Sequence, residues 1–243
     1  MSSGMTTHNA LQNPAVLRTP LRVRALDLQG PAGRLEALLN EGVGHAPCAA
    51  LICHPHPLGG GTMHNKVVYH AMKAINDPLW GLGWPVLRFN FRGVDLSQGE
   101  HDGQAEADDV LAALNWLENE FKLPIAAVGF SFGAAMTLSA CCRPDAAPSR
   151  GRQYVRALAS IGLPTHAEGR DYSYPYLDTC PLPKFFLSGD RDPFAPADQL
   201  ANVVASAAEP KRLQLLAGAD HFFTGQMESM QSALSNWLKE QLQ

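Results

Sequence analysis

The chain has 243 residues and a mass of 26.2 kDa, above the ~100–150 residues of a common domain but within the ~200–250 that one open α/β sheet often takes. Hydrophobic residues make up 46% and charged residues 17%, which excludes a disordered or coiled-coil chain. With 19 basic residues scattered among 23 acidic ones, for a net charge of −4, no nucleic-acid-binding face is expected.

No basic stretch followed by an apolar one opens the sequence, and no run of about 18 apolar residues occurs, so neither export nor membrane contact is expected and the location implied is cytoplasmic. The oligomeric state is not written in the sequence. The five cysteines, Cys48, Cys53, Cys141, Cys142 and Cys180, are odd in number and contain no C-x-x-C pair. They read as free buried thiols in a reducing compartment, with neither a zinc knot nor a disulfide framework.

Residues 1–20 are polar and aperiodic and are expected to form a loose arm, leaving 21–243 as a single domain. Leu21, Val23 and Ala25 alternate with arginines, then the phase slips to Leu26 and Leu28, which a β-bulge would absorb. The turn-forming Gln29-Gly30-Pro31-Ala32-Gly33 makes this the first arm of an antiparallel hairpin whose second arm runs from Arg34 to Asn40. Six continuous apolar runs follow, at 49–53, 86–90, 125–128, 157–161, 185–187 and 213–216. Runs of that length suit parallel strands covered on both faces.

Helices are expected between them at 65–76, 106–121, 131–142, 197–207 and 227–242. The second carries Val110, Leu114, Leu117 and Phe121 on one stripe, with Glu106, Asp108 and Asp109 in its first turn, where carboxylates favour the helix dipole. The last places Met227, Met230, Leu234, Trp237 and Leu238 on a stripe that should cover the sheet. This alternation predicts an α/β fold with an open, mostly parallel, doubly wound sheet.

The strand ending at Val128 leads into Gly129-Phe130-Ser131-Phe132-Gly133 and then a run of small residues, so G-x-S-x-G stands in its meaningful context of strand, sharp turn and helix. Glycine on both sides lets strand and helix pass closely, and the strained turn exposes the Ser131 hydroxyl. The Phe132 amide, at a helix N-terminus, is a candidate oxyanion donor. A serine needs a base, and the base needs an acid to hold its tautomer. Asp190 and Asp192 follow one apolar strand and His221 follows the last, at the carboxyl ends where open α/β sheets build their sites. Asp192 is preferred because Pro193 keeps it extended, with Asp190 in reserve; Asp220 reads as a turn residue.

The first parallel strand leads into His54-Pro55-His56-Pro57-Leu58-Gly59-Gly60-Gly61-Thr62-Met63-His64-Asn65, the place for a second oxyanion donor. Pro55 and Pro57 carry no N–H, which leaves His56 or else Leu58. The histidines there have no acidic companion, and proline on both sides of His56 suits loop shaping, so no metal and no cofactor is expected.

Five segments in this order, HPHP-x-GGG-x-MHNKVV, RFNFRGV-x-x-S-x-G, GFSFG, G-x-x-D and DHFF, resemble the small lidless bacterial α/β-hydrolases, over residues 21–242. The resemblance implies an eight-stranded sheet without a cap domain, Ser131 as nucleophile, Asp192 as acid and His221 as base. That group usually has glycine where this chain has Asp95, which adds a carboxylate beside the site; Asn90 and Arg92 read as loop organisers. Larger relatives insert a lid after the strand holding Ile161. Here only the 22 residues Gly162–Pro183, with four prolines, are available, too few for a helical cap.

An open site of this kind favours hydrolysis of a small-molecule carboxylic ester or thioester through an acyl-enzyme on Ser131. A peptidase of the same chemistry and a catalytically silent binding protein are the alternatives, and a metal-dependent hydrolase is a third.

Overall fold

The structure, a computed structural model, describes residues 22–167 and 169–243. The expected N-terminal arm and Leu21 lie outside the described residues.

Strands β1 (Val23–Gly30) and β2 (Gly33–Asn40) form the hairpin. There follow β3 (Ala49–Cys53), α1 (Lys66–Asn76), β4 (Val86–Phe89), α2 (Glu106–Phe121), β5 (Ile125–Phe130), α3 (Phe132–Cys142) and β6 (Val155–Ile161). After a short two-residue-strand hairpin, β7 (His166–Ala167) and β8 (Arg170–Asp171), come β9 (Lys184–Gly189), α4 (Ala197–Ser206), β10 (Lys211–Leu216) and α5 (Met227–Leu242). Eight strands form one sheet in the order β1-β2-β4-β3-β5-β6-β9-β10. β1 and β2 pair antiparallel, β2 meets β4 antiparallel, and every later pairing is parallel. This is the α/β-hydrolase fold.

The core has two layers. Ala50, Ile52, Ala126 and Val128 pack beneath α1 and α5, while Ala49, Leu51, Ile125 and Ala127 pack against α2 and α3 on the other face. Alternate residues point to opposite faces of a strand, yet both faces are covered, so the polar half of the usual alternation is lost and the runs read as continuously apolar. Every residue of α3 is buried, which explains its lack of an apolar stripe; it passes through the middle of the molecule.

Three expectations need correction. No bulge interrupts β1, because Val23–Gly30 pairs with Gly33–Asn40 in unbroken register. The early apolar residues are simply not core: Val23 is 55% exposed, and the inward positions are Leu26 and Leu28. Second, the segment between β6 and β9 holds the β7–β8 hairpin and a 3₁₀ turn at Pro175–Asp178, although it builds no helical cap.

Third, the cysteines are not all free. Cys142, at the end of α3, is bonded to Cys180, with their Cα atoms 5.2 Å apart, because the chain after the 3₁₀ turn folds back against that helix. Cys48, Cys53 and Cys141 are free and buried, so the inference from free thiols to a reducing compartment keeps only three of its five cysteines. Burial pushes the Cys53 and Cys141 thiols up to about 12, which removes them as nucleophiles at neutral pH.

Candidate active site

Ser131 sits between β5 and α3 with φ 56° and ψ −122°, a left-handed backbone that costs a non-glycine residue on the order of 1–3 kcal/mol. The surroundings hold it there. Its N–H donates to the Ile161 carbonyl at 2.8 Å, and the turn is so tight that a Cβ on Gly129 would lie 2.4 Å from the Ala134 nitrogen. A Cβ on Gly133 would lie 2.4 Å from the Cys53 carbonyl oxygen, so both glycines are required by close backbone approach. Helix α3 starts at Phe132, one residue later than the sequence suggested, because Ser131 cannot be helical at that φ. The Phe132 amide thus occupies the first helical position, where N–H groups have no intrahelical acceptor.

His221 follows β10 and is buried, and its Nδ1 donates to Asp192 Oδ2 at 2.7 Å. Nε2 is then the ring's available acceptor. Asp192 is fixed by two more bonds, from the Ser188 hydroxyl to Oδ2 at 3.1 Å and from the Phe194 amide to Oδ1 at 2.9 Å. Phe130, Phe194 and Phe222 pack around the imidazole with centroid distances of 4.9, 4.7 and 5.1 Å. Of the two competing aspartates, Asp192 meets the histidine; Asp190 accepts the Gly218 amide at 2.6 Å and closes a turn. Asp220 accepts the Phe222 and Thr224 amides, and the amide bond from Thr224 above all holds its carboxyl below the usual range.

Ser131, Phe132, His56 and His221 all line one cavity of about 190 Å³, together with Pro55, Asn65, Pro164, Ala167, Tyr172, Phe194 and Phe222. Of the two amides considered for the second oxyanion donor, that of Leu58 is committed to His56 Nδ1 at 3.2 Å, and Leu58 is 76% exposed. His56 is the one on the cavity wall. The triglycine turns inward, with Gly59 and Gly61 both donating to the His56 carbonyl.

The neighbouring polar residues brace these loops. His54 Nδ1 bonds the Pro55 carbonyl at 2.7 Å and Nε2 accepts the Phe91 amide at 3.0 Å; burial pushes it down to about 4. It is a neutral tie between the loops after β3 and β4, with no nitrogen left for a metal. Asn90 accepts the Met63 amide and donates to Glu36 and Asp95. Arg92 grips Asp109 through Nε and Nη2, the latter at 2.7 Å. Asp95 takes a left-handed φ of 46°, and its carboxylate bonds Asn90 rather than lining the cavity. The polarity it was expected to add to the site is absorbed by the loop.

Two features escaped the sequence reading. Glu106 and Asp109, whose place in the first turn of α2 suits the helix dipole, are both fully buried: Asp109 holds Arg92, and Glu106 Oε1 lies 2.5 Å from His101 Nδ1. The His101 ring packs edge-on against His56 and Phe132, 4.9 and 5.5 Å away, so this pair buttresses the loop after β3. Two carboxylates three residues apart share a helix face, the one available sequence signal. Tyr172 also went unmarked, because it reaches the cavity from the β7–β8 hairpin.

A family model for the alpha/beta hydrolase domain matches residues 50–242. The chain belongs to that hydrolase family. An uncharacterized protein of Rickettsia prowazekii is 35% identical over 217 residues, covering 86% of each chain. Among solved structures, an alpha-beta serine hydrolase homologue from Coxiella burnetii is 34% identical with TM-score 0.76, covering 88% of this chain and 97% of that one. A serine hydrolase without lid from Xanthomonas campestris is 29% identical with TM-score 0.74, covering 92% and 96%. Among the described residues no helix is long and apolar enough to cross a membrane.

Proposed function

We propose that this chain hydrolyses carboxylic esters or thioesters of small to medium acyl groups through an acyl-enzyme on Ser131, without a cofactor. His221 Nε2 takes the Ser131 proton as the hydroxyl oxygen attacks the carbonyl carbon, and the carbonyl π pair moves onto oxygen. The Phe132 and His56 amides stabilise that oxyanion. Collapse of the intermediate expels the alkoxide or thiolate, which takes the proton from His221. Water then attacks the acyl-enzyme, giving its proton to the same nitrogen, and the second collapse returns that proton to Ser131 as the acid leaves. Asp192 holds the imidazole by Nδ1–H through both steps.

The observation that carries this reading is the strained Ser131 turn opening into the same cavity as a histidine whose far nitrogen is fixed by a buried aspartate. A binding protein has no need of a serine held at positive φ. A fluorophosphonate probe tests it: wild type should label, Ser131→Ala should not, and a p-nitrophenyl ester series should turn over faster than aminoacyl anilides. Labelling independent of Ser131 would overturn the mechanism, and faster anilide turnover would make the protein a peptidase.

A further inference from the structure

The cavity around Ser131 is small for its task. At about 190 Å³ it holds a reacting carbonyl and a few carbon atoms, whereas sites for whole small molecules run to ~300–1,000 Å³. Beside it lies a much larger groove of about 790 Å³.

The two are built as one surface. Tyr172 lines both. One helix borders both: Phe132, the first residue of α3, lines the cavity beside Ser131, and Ala135 and Met136, on the next turn, line the groove. Phe132 to Met136 is four residues of α3, a rise of about 6 Å at ~1.5 Å per residue, so the groove begins about one helical turn beyond the residue that follows the nucleophile. The far wall of the groove is a run of tyrosines. Tyr172 and Tyr174 stack with centroids 6.4 Å apart and planes 19° from parallel, and Tyr176 stands edge-on to Tyr174 at 6.3 Å.

These rings are held in place rather than left to adapt. The Tyr174 hydroxyl donates to the carbonyl of Pro164, a wall residue of the catalytic cavity, at 2.6 Å. The Arg170 guanidinium covers the Tyr172 ring at 5.2 Å. The Cys142–Cys180 bond ties the segment carrying the tyrosines to the end of α3. Fixed ring faces and edges at this spacing, with the Met136 thioether on the floor, suit a planar aromatic guest, which gains from offset or edge-on packing beyond simple area burial. A flexible alkyl chain would gain area alone.

We propose that the groove is an aryl-binding subsite, and that the preferred substrates are esters carrying an aromatic ring a few bonds from the scissile carbonyl. The proposal rests on the hydrolase reading above. It goes beyond it by assigning the substrate class to Tyr172, Tyr174, Tyr176 and Met136, residues outside the reacting cavity except for Tyr172.

The test compares p-nitrophenyl acetate, octanoate and 4-phenylbutanoate on wild type, Tyr176→Ala and Tyr176→Phe, with thermal melts to establish that each variant is folded. Wild type should show a higher kcat/KM for 4-phenylbutanoate than for octanoate. Tyr176→Ala should lower the phenylbutanoate-to-acetate ratio about tenfold, and Tyr176→Phe, which keeps the ring, should restore most of it. Ester turnover with an octanoate preference, or a ratio indifferent to Tyr176→Ala in a folded variant, overturns the aryl subsite and leaves the hydrolase reading standing. Absence of any turnover or Ser131-dependent labelling overturns the hydrolase reading instead. The groove is then read by calorimetry of 4-phenylbutanoate on the same proteins, where loss of affinity in Tyr176→Ala supports the aryl site and equal binding, or none to wild type, rejects it.

Discussion

Gly162 lies directly against the His221 imidazole: a Cβ at this position would stand 3.1 Å from Cε1 and 3.2 Å from Nδ1. Its φ of 55° is also one that side-chain-bearing residues adopt at a cost. The end of β6 therefore sets the seat of a histidine that arrives from the far end of the chain. Gly162→Ala should push the ring and strain the backbone together, lowering kcat about tenfold and stability by about 1 kcal/mol. The rate of fluorophosphonate labelling checks this, and labelling at the wild-type rate would contradict it.

Ser188 and His221 share one oxygen of Asp192. Removing the hydroxyl leaves a buried carboxylate with one donor fewer, at a cost of about 1 kcal/mol. Ser188→Ala should lower kcat roughly 3- to 10-fold through looser orientation of the imidazole, with KM little changed because Ser188 does not line the cavity. Steady-state kinetics separates the two, and a rise in KM alone would refute a positioning role.

His54 gives the fold an acid sensitivity of defined sign. Burial first, and the nearby His101 to a lesser degree, push it down to about 4, against an ordinary value of 6.5. Between those values the unfolded chain binds the proton more readily than the folded one. The stability His54 contributes is therefore complete above about pH 6.5 and is lost as pH falls toward 4, on the order of 3 kcal/mol in all. Urea unfolding at pH 7.5 and 5.0 should show about 2 kcal/mol of this loss, and His54→Gln, less stable at pH 7.5, should show less of it.

The Cys142–Cys180 bond closes a loop of sequence separation 38. Loop-closure entropy assigns it roughly 2–4 kcal/mol, so reduction should lower the urea midpoint accordingly. Thiol titration of the unreduced, denatured protein should find three reactive groups, since three cysteines are free; five would refute the bond.

Much of the architecture is legible because it is written in strong patterns. The apolar stripes of α2 and α5 mark both helices to the residue, and the apolar run 49–53 coincides with β3. Ser131 and His221 are singled out by order and place, each beyond the carboxyl end of a strand, and Asp192, preferred because Pro193 follows it, is the aspartate that bonds the histidine. What escapes depends on contacts across the fold. Strands β7 and β8 have two residues each, carry no periodicity, and exist because Thr165 and His166 bond the Phe194 carbonyl and His166 pairs with Asp171. The pairing of Cys142 with Cys180 and the burial of Glu106 against His101 are likewise decided by packing between distant segments.

The excursion between β6 and β9 has an evolutionary aspect. It leaves the sheet at Gly162, re-enters at Lys184, and is pinned near its end by a covalent bond. Between those anchors it supplies Pro164, Ala167, Tyr172, Tyr174 and Tyr176 to the walls of the cavity and groove without contributing a strand to the main sheet. Lengthening such a segment costs little, about 0.6 kcal/mol for each doubling. New appetites can therefore be acquired by rewriting one short stretch while the hydrolytic machinery is inherited unchanged.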